Sequence, residues 1–179
     1  MICIFLAEGF EEMEAIAPID LLRRAGIEVQ TVGVGAKTVM GSHGISLVCD
    51  IADSEINSGE CDGVILPGGP GRTKLAESPV VRNMLAAVSK RGGLLAAICG
   101  SPPILGEQGY LRDRKACCYS GLEDGLTGAQ VLFDPVVIDG NVITSRGAGT
   151  ATQFALALVE YLVSPEMAAE IAAQIQYGR

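Results

Sequence analysis

Three short runs of nearly unbroken apolar residues, Ile2 to Leu6, Gly63 to Leu66 and Leu94 to Cys99, constrain this chain more than any other feature. Apolar residues without polar alternation are what a parallel strand needs when helices cover both of its faces. Glu28 to Val34 reads as a further strand. Between these runs the pattern becomes helical: Glu11 to Ala25 ends at Gly26, and Ser78-Pro79 opens Val80 to Lys90 with a capping hydroxyl and a first-turn proline. This alternation predicts an α/β fold with a doubly wound sheet.

The second half is less regular. Ile104 to Gln108 reads as a short helix stopped by Gly109, and Ala116 to Tyr119, Gln130 to Leu132, Val136 to Ile138 and Val142 to Ser145 read as short strands, the last two joined by an Asp139-Gly140 hairpin signal. A helix from about Thr150 to Val163 follows, and Ser164-Pro165 caps a final one running toward Gln176. No internal repeat, low-complexity tract or linker interrupts the chain, so residues 1–179 are expected to form a single domain.

Composition removes several functions. Thirteen Lys plus Arg stand against 21 Asp plus Glu, giving net charge −8, and with no Trp and 4% aromatics there is neither phosphate attraction nor a base-stacking platform. No nucleic-acid partner is expected. The uncharged stretches Gly92 to Gly106 and Gly147 to Val159 are too short to span a bilayer, and Pro102 and Pro103 break the first. The start lacks a basic region and runs directly into Glu8, Glu11 and Glu12, unlike a secretory signal, so a cytoplasmic protein is expected, with no membrane partner. The six cysteines contain no C-x-x-C pair and His43 is the single histidine, so no metal centre is expected.

The glycine-rich loops do not form a nucleotide site. Gly68-Gly-Pro-Gly71 lacks the third glycine of G-x-G-x-x-G, and Arg146-Gly-Ala-Gly-Thr150 lacks the Gly-Lys of a phosphate loop. No cofactor is expected. Gly68 and Gly69 still draw interest because they end a central strand, where α/β sheets place their sites. The stronger signal is Ala96-Ala-Ile-Cys-Gly-Ser-Pro102, in which an apolar strand ends at a cysteine, small residues follow and helix-forming sequence resumes. That is the layout of a nucleophile elbow, and a helix N-terminus behind it would favour thiolate over thiol. From layout alone Cys99 is either a reactive thiol or an inert core cysteine.

A nucleophilic thiol needs a proton partner. His43 is available but sits in a Gly-Ser-His-Gly turn, where a solvated loop histidine is the simpler reading. Glu14 is the alternative. It lies just after the first strand, and Pro18 offers no N–H to its carbonyl, so the helix is expected to kink there.

Ala7-Glu-Gly-Phe-Glu-Glu-Met-Glu14-Ala-Ile, Arg23-Arg-Ala-Gly-Ile27, Leu66-Pro-Gly-Gly69, Ala96-Ala-Ile-Cys99, Thr144-Ser-Arg-Gly-Ala-Gly-Thr150 and Phe154-Ala-Leu-Ala-Leu-Val-Glu160 occur in this order across nearly the whole chain. Together they resemble the ThiJ/PfpI family, most nearly its Parkinson disease protein deglycase-like branch. The resemblance implies a flavodoxin-like, doubly wound, mostly parallel sheet with helices on both faces, and a homodimer. It implies that Cys99 is the nucleophile, that a protonated Glu14 donates to its sulfur, and that the N–H groups of Gly69 and Gly100 face the substrate oxygen. A carboxyl beside a thiolate is then expected to have a raised pKa while that of the cysteine falls. Gly68, Tyr119 and His43 are possible substrate-site residues. Tyr119 stands where some members of the family carry histidine, and a phenol is a weaker proton shuttle at neutral pH than imidazole.

On that resemblance the expected function is a cofactor-independent enzyme acting on reactive dicarbonyls or their adducts, such as methylglyoxal to lactate. The alternative is a redox-responsive, chaperone-like stress protein whose cysteine is oxidised to sulfinate. A protease is disfavoured because no histidine follows the elbow.

Overall fold

In the computed structural model, which describes residues 1–178, the first half of the chain forms β1 (Ile2–Leu6), α1 (Glu12–Arg24), β2 (Val29–Gly33), β3 (Thr38–Met40), β4 (Ser46–Val48), β5 (Ile51–Ala52), β6 (Gly63–Leu66), α2 (Arg72–Glu77), α3 (Pro79–Lys90) and β7 (Leu94–Ile98). The second half adds α4 (Pro102–Glu107), β8 (Lys115–Ala116), β9 (Gln130–Val131), β10 (Val136–Asp139), β11 (Val142–Ser145), α5 (Ala151–Leu162) and α6 (Pro165–Gln174).

Helix ends follow local chemistry. The Glu11 carboxylate accepts the N–H of Glu14 at 2.7 Å, Ser78 Oγ that of Val81 at 3.3 Å, and Ser164 Oγ that of Met167 at 3.2 Å. Each satisfies a donor with no partner inside its helix, a contribution of about 1 kcal/mol. Gly26 turns the chain out of α1 at φ +75°, a left-handed conformation that favours glycine. Pro18 lies inside α1, which continues beyond it to Arg24.

The main sheet has the order β10-β11-β7-β6-β1-β2-β5. Every pairing in it is parallel except the β10–β11 hairpin, which turns at Gly140. Its strands divide their side chains between two cores. Ile2, Ile4 and Leu6 of β1 join Ile65, Ala96 and Ile98 under α1, α5 and α6, where Ile19, Leu22, Phe154 and Leu158 close the layer. Cys3 and Phe5 join Val64, Leu66, Leu95 and Ala97 on the other face, covered by Val81, Met84, Leu85 and Val88 of α3 and by Leu105 of α4. The sheet is therefore mostly parallel with helices on both faces, as the double apolar face of its strands demands. No described helix is long and apolar enough to cross a membrane.

Three local expectations are corrected. The strand read as Leu94 to Cys99 stops at Ile98. The strand read as Ala116 to Tyr119 pairs only over Lys115–Ala116, because the next N–H groups are engaged elsewhere: Cys117 donates to Thr144 Oγ1 at 3.0 Å and Tyr119 to the carbonyl of Cys99 at 2.8 Å. The β3–β4 hairpin, β5 and α2 are absent from the sequence reading, being too short to show a period.

Chain order places β2 on one side of β1 and β6 on the other. In open α/β sheets the crevice at the carboxyl ends of such strands is where ligands bind. Cys99 and Arg146 follow directly on the carboxyl ends of β7 and β11, and Gly68 lies two residues past that of β6.

Candidate active site

The Cys99 backbone has φ +64°, a left-handed conformation costing a non-glycine residue about 1–2 kcal/mol. Neighbouring chain holds it there. The Cys99 N–H donates to the carbonyl of Ser145 at 2.9 Å, and the carbonyl of Cys99 accepts from Tyr119 at 2.8 Å. Ser101 Oγ, completely buried, ties the turn to the carbonyl of Pro67 at 2.6 Å. The strain aims the thiol off the end of β7, and it is partly exposed, whereas the other five cysteines are buried.

Glu14 reaches the same place from the start of α1 and is 1% exposed. Its Oε2 accepts the N–H of Gly68 at 2.8 Å, and its carboxyl is hydrogen-bonded to the Cys99 sulfur. Gly68 is what permits this approach: a Cβ there would lie 2.6 Å from Glu14 Oε2 and 3.0 Å from Cys99 Sγ. Burial, opposed by the hydrogen bonds from Cys99 and Gly68, raises the Glu14 carboxyl to about 7. The raised acid agrees with expectation; the fallen cysteine does not. Burial first, and then the charge of an ionised Glu14, push the Cys99 thiol up to about 12. Two anions side by side are disfavoured, so the two groups titrate as a coupled pair, with Glu14 the more acidic member. Protonation of Glu14 removes that repulsion and leaves the N–H groups of Gly69 and Gly100, which favour the anion, against burial, which opposes it.

Those two N–H groups replace the expected helix terminus. The first two residues of α4 are Pro102 and Pro103, which have no N–H to offer. Gly69 holds its position at φ +87°, and a Cβ there would lie 2.6 Å from both the Glu11 nitrogen and the Gly9 oxygen.

A pocket of about 330 Å³ opens over the sulfur, lined by Gly69, Arg72, Cys99, Gly100, Tyr119 and Leu122 among others. An adjoining pocket of about 480 Å³ shares Tyr119 and Ser120 and is bounded by Arg146 and Gly147. The Tyr119 side chain is exposed. A Cβ on Gly147 would sit 3.6 Å from Tyr119 Cδ2 and 4.0 Å from Glu14 Oε1, so ring and carboxyl border the same space. Arg72 escaped the sequence reading because nothing local distinguishes it, and Arg146 and Gly147 entered that reading only within a glycine-rich loop, not as site residues.

His43 is placed elsewhere and does not line the Cys99 pocket. Its Nδ1 lies 2.8 Å from Glu12 Oε2, and its N–H donates to Glu12 Oε1 at 2.6 Å. Burial opposes the Glu12 charge, but these bonds from His43 overcome it and hold the carboxyl at about 2. The same bond raises the His43 pKa. Glu11, Glu12 and His43 bring ligand-type atoms within 4.8 Å of one another, the one set of described residues able to hold a metal ion. Glu12 is already committed to His43 and Ser42, and Glu11 to capping α1.

The family model described as the DJ-1/PfpI family matches residues 1–161. The glutathione-independent glyoxalase DJR-1.2 of Caenorhabditis elegans is 42% identical over 161 residues, covering 89% of this chain and 86% of that protein. The Parkinson disease protein 7 homolog of Danio rerio is 38% identical over 178 residues, covering 96% and 94%. Among solved structures, oxidized Toxoplasma gondii DJ-1 superposes with a TM-score of 0.94 at 34% identity, over 99% of this chain and 98% of that one.

Proposed function

The chain belongs to the DJ-1/PfpI family, and from that membership and the surroundings of Cys99 we propose that it is a cofactor-independent, cysteine-dependent enzyme acting on reactive dicarbonyls or their adducts, of the glyoxalase or deglycase type. The observation that carries this reading is the pairing of a partly exposed thiol with a buried carboxyl that keeps its proton close to neutrality.

With methylglyoxal, the Cys99 thiolate adds to the aldehyde carbon. The carbonyl electron pair moves onto oxygen, which the N–H groups of Gly69 and Gly100 stabilise and Glu14 protonates, giving a hemithioacetal. Glu14, now a carboxylate, takes the C1 proton and returns it to C2 through an enediol, so that the adduct becomes a lactoyl thioester. Water adds to the thioester carbonyl, the carbon–sulfur bond breaks, and lactate leaves with Cys99 again a thiolate. The sum is methylglyoxal plus water to lactate plus a proton, with no external electron acceptor. In the deglycase form the aldehyde arrives as its adduct with a protein or nucleotide amine. The test is lactate formation from methylglyoxal without glutathione, present in the unmodified protein and lost in Cys99→Ala; an inactive unmodified protein refutes the proposal.

A second reading, a redox-responsive and chaperone-like stress protein, draws support from Tyr119, an exposed phenol where an imidazole would move protons faster. Two equivalents of peroxide convert the thiolate into a sulfinate and two waters. A protonated Glu14 and two N–H groups suit the sulfinate oxygens. Stoichiometric peroxide consumption ending at sulfinate, without lactate turnover, would establish it.

We place the protein in the cytoplasm, where its unpaired cysteines stay reduced, as one domain that forms a homodimer. Met13 and Ile16 on the outer face of α1, 59% and 43% exposed, support association through that helix.

A further inference from the structure

Arg72 opens α2 directly after the Gly68 to Gly71 turn, and its side chain lies against Gly100, whose N–H faces the Cys99 sulfur. A Cβ on Gly100 would sit 2.5 Å from Arg72 Cδ and 2.8 Å from its Nε. The guanidinium therefore borders the Cys99 pocket, one residue beyond the nucleophile. It makes no hydrogen bond or ion pair among the described residues. Arg146, in the adjoining pocket, is by contrast committed to Ser120 Oγ at 2.7 Å and to the carbonyl of Phe133 at 3.3 Å.

Charge makes this placement informative. The chain carries 21 Asp plus Glu against 13 Lys plus Arg, yet no carboxylate stands in the walls of this pocket. The carboxyl nearest the sulfur is that of Glu14, bound to Cys99 and Gly68. A guanidinium next to a reacting centre, with all its donors free, is a receptor for a planar anion. A single guanidinium in the walls of the Cys99 pocket matches a carboxylate monoanion better than a phosphate dianion.

We propose that Arg72 is a specificity-determining residue that selects aldehydes bearing a carboxylate beside the reacting carbonyl, the guanidinium binding that carboxylate while the aldehyde carbon lies over Cys99 Sγ. The proposal rests on the reading of Cys99 as the nucleophile. Its chemistry is addition alone: the sulfur–carbon bond forms, the carbonyl electron pair passes to oxygen, and the proton of Glu14 follows it, with no change in oxidation state.

The test is protection of Cys99 from alkylation by iodoacetamide, measured by peptide mass spectrometry, with glyoxylate as the charged probe and propionaldehyde as the uncharged one. Each variant is normalised to its own unprotected rate. Arg72→Gln should raise the half-protecting glyoxylate concentration about tenfold, the usual weight of one charged hydrogen-bonded contact, and leave propionaldehyde unchanged. Arg72→Lys, keeping the charge without the fork, should fall between. Equal glyoxylate protection in Arg72→Gln and the unmodified protein overturns the proposal, and so does stronger protection by glycolaldehyde phosphate than by glyoxylate. Because this readout needs no turnover, protection that depends on Arg72 in a protein making no lactate refutes the glyoxalase reading alone and upholds the role of Arg72.

Discussion

The backbone N–H of Gly68 donates to Glu14 Oε2 at 2.8 Å across 54 residues of sequence, and the absence of a side chain on Gly68 is what leaves room for Glu14 and Cys99 to meet. A methyl group there would lie 2.7 Å from Cys99 Cβ as well as against both functional atoms. Gly68→Ala should therefore lower stability by about 1–3 kcal/mol, the usual cost of overpacking, and slow alkylation of Cys99 by displacing its proton donor. Denaturation curves and limiting iodoacetamide with peptide mapping check the two effects. In the unmodified protein Cys99 should be labelled first, since the other five cysteines are buried.

Glu14 should leave a signature in the pH dependence of stability. Its folded value of about 7 lies above its ordinary value of 4.5, so the native state holds the proton more tightly than the unfolded chain. The resulting stability is fully present below pH 4.5 and is lost as pH rises through 7. Glu14→Gln, which cannot ionise, should remove this dependence, and the stability difference between the two proteins should change by at most about 3 kcal/mol across that window. Glu12, held at about 2, acts in the opposite sense: its contribution is present above its ordinary value of 4.5 and lost as pH falls toward 2. Urea unfolding at mildly acidic and mildly alkaline pH isolates the Glu14 effect.

Tyr119→His should raise lactate formation about tenfold near neutral pH, the scale of added general-base assistance, and introduce an inflection near the ordinary imidazole pKa. The ring already borders the space reached by Glu14 Oε1. Tyr119→Phe should change the rate little. An unaltered profile in the histidine variant would show that proton transfer does not pass through this position.

Association through α1 predicts that Ile16→Glu, which puts a charge on the exposed apolar face of that helix, shifts sedimentation from twice the 18.6 kDa chain mass to the chain mass itself. Helical content should be unchanged, because the substituted side chain lies outside the two cores.

Strands buried on both faces are legible as short runs almost without exposed positions: Ile2–Leu6 and Gly63–Leu66 are continuous in apolar residues and glycine, and Val142–Ser145 coincides with its run although Thr144 and Ser145 are buried polar residues. Helix ends are nearly as clear, because Ser78, Ser164 and Gly26 act on N–H groups and dihedrals within a few residues of themselves. The β3–β4 hairpin is not legible, for its strands of three residues leave no period to read. Cys117 to Tyr119 shows the other failure, an apolar stretch whose N–H groups are claimed by Thr144 and Cys99 rather than by a ladder.

The candidate site divides along the same line. The elbow at Cys99 is local, for the left-handed turn and the small residues around it are written within a few positions. Its chemistry is not local. Whether the thiol carries a proton depends on Glu14, Gly69 and Gly100, and the free guanidinium beside it comes from Arg72. His43 shows the converse, a lone histidine whose partner, Glu12, lies 31 residues earlier. Backbone dihedrals and two-sided burial are set by neighbours along the chain, whereas the charge state and partners of a side chain are set by neighbours in space, and here only the convergence of β1, β6, β7 and β11 at one sheet edge brought those together.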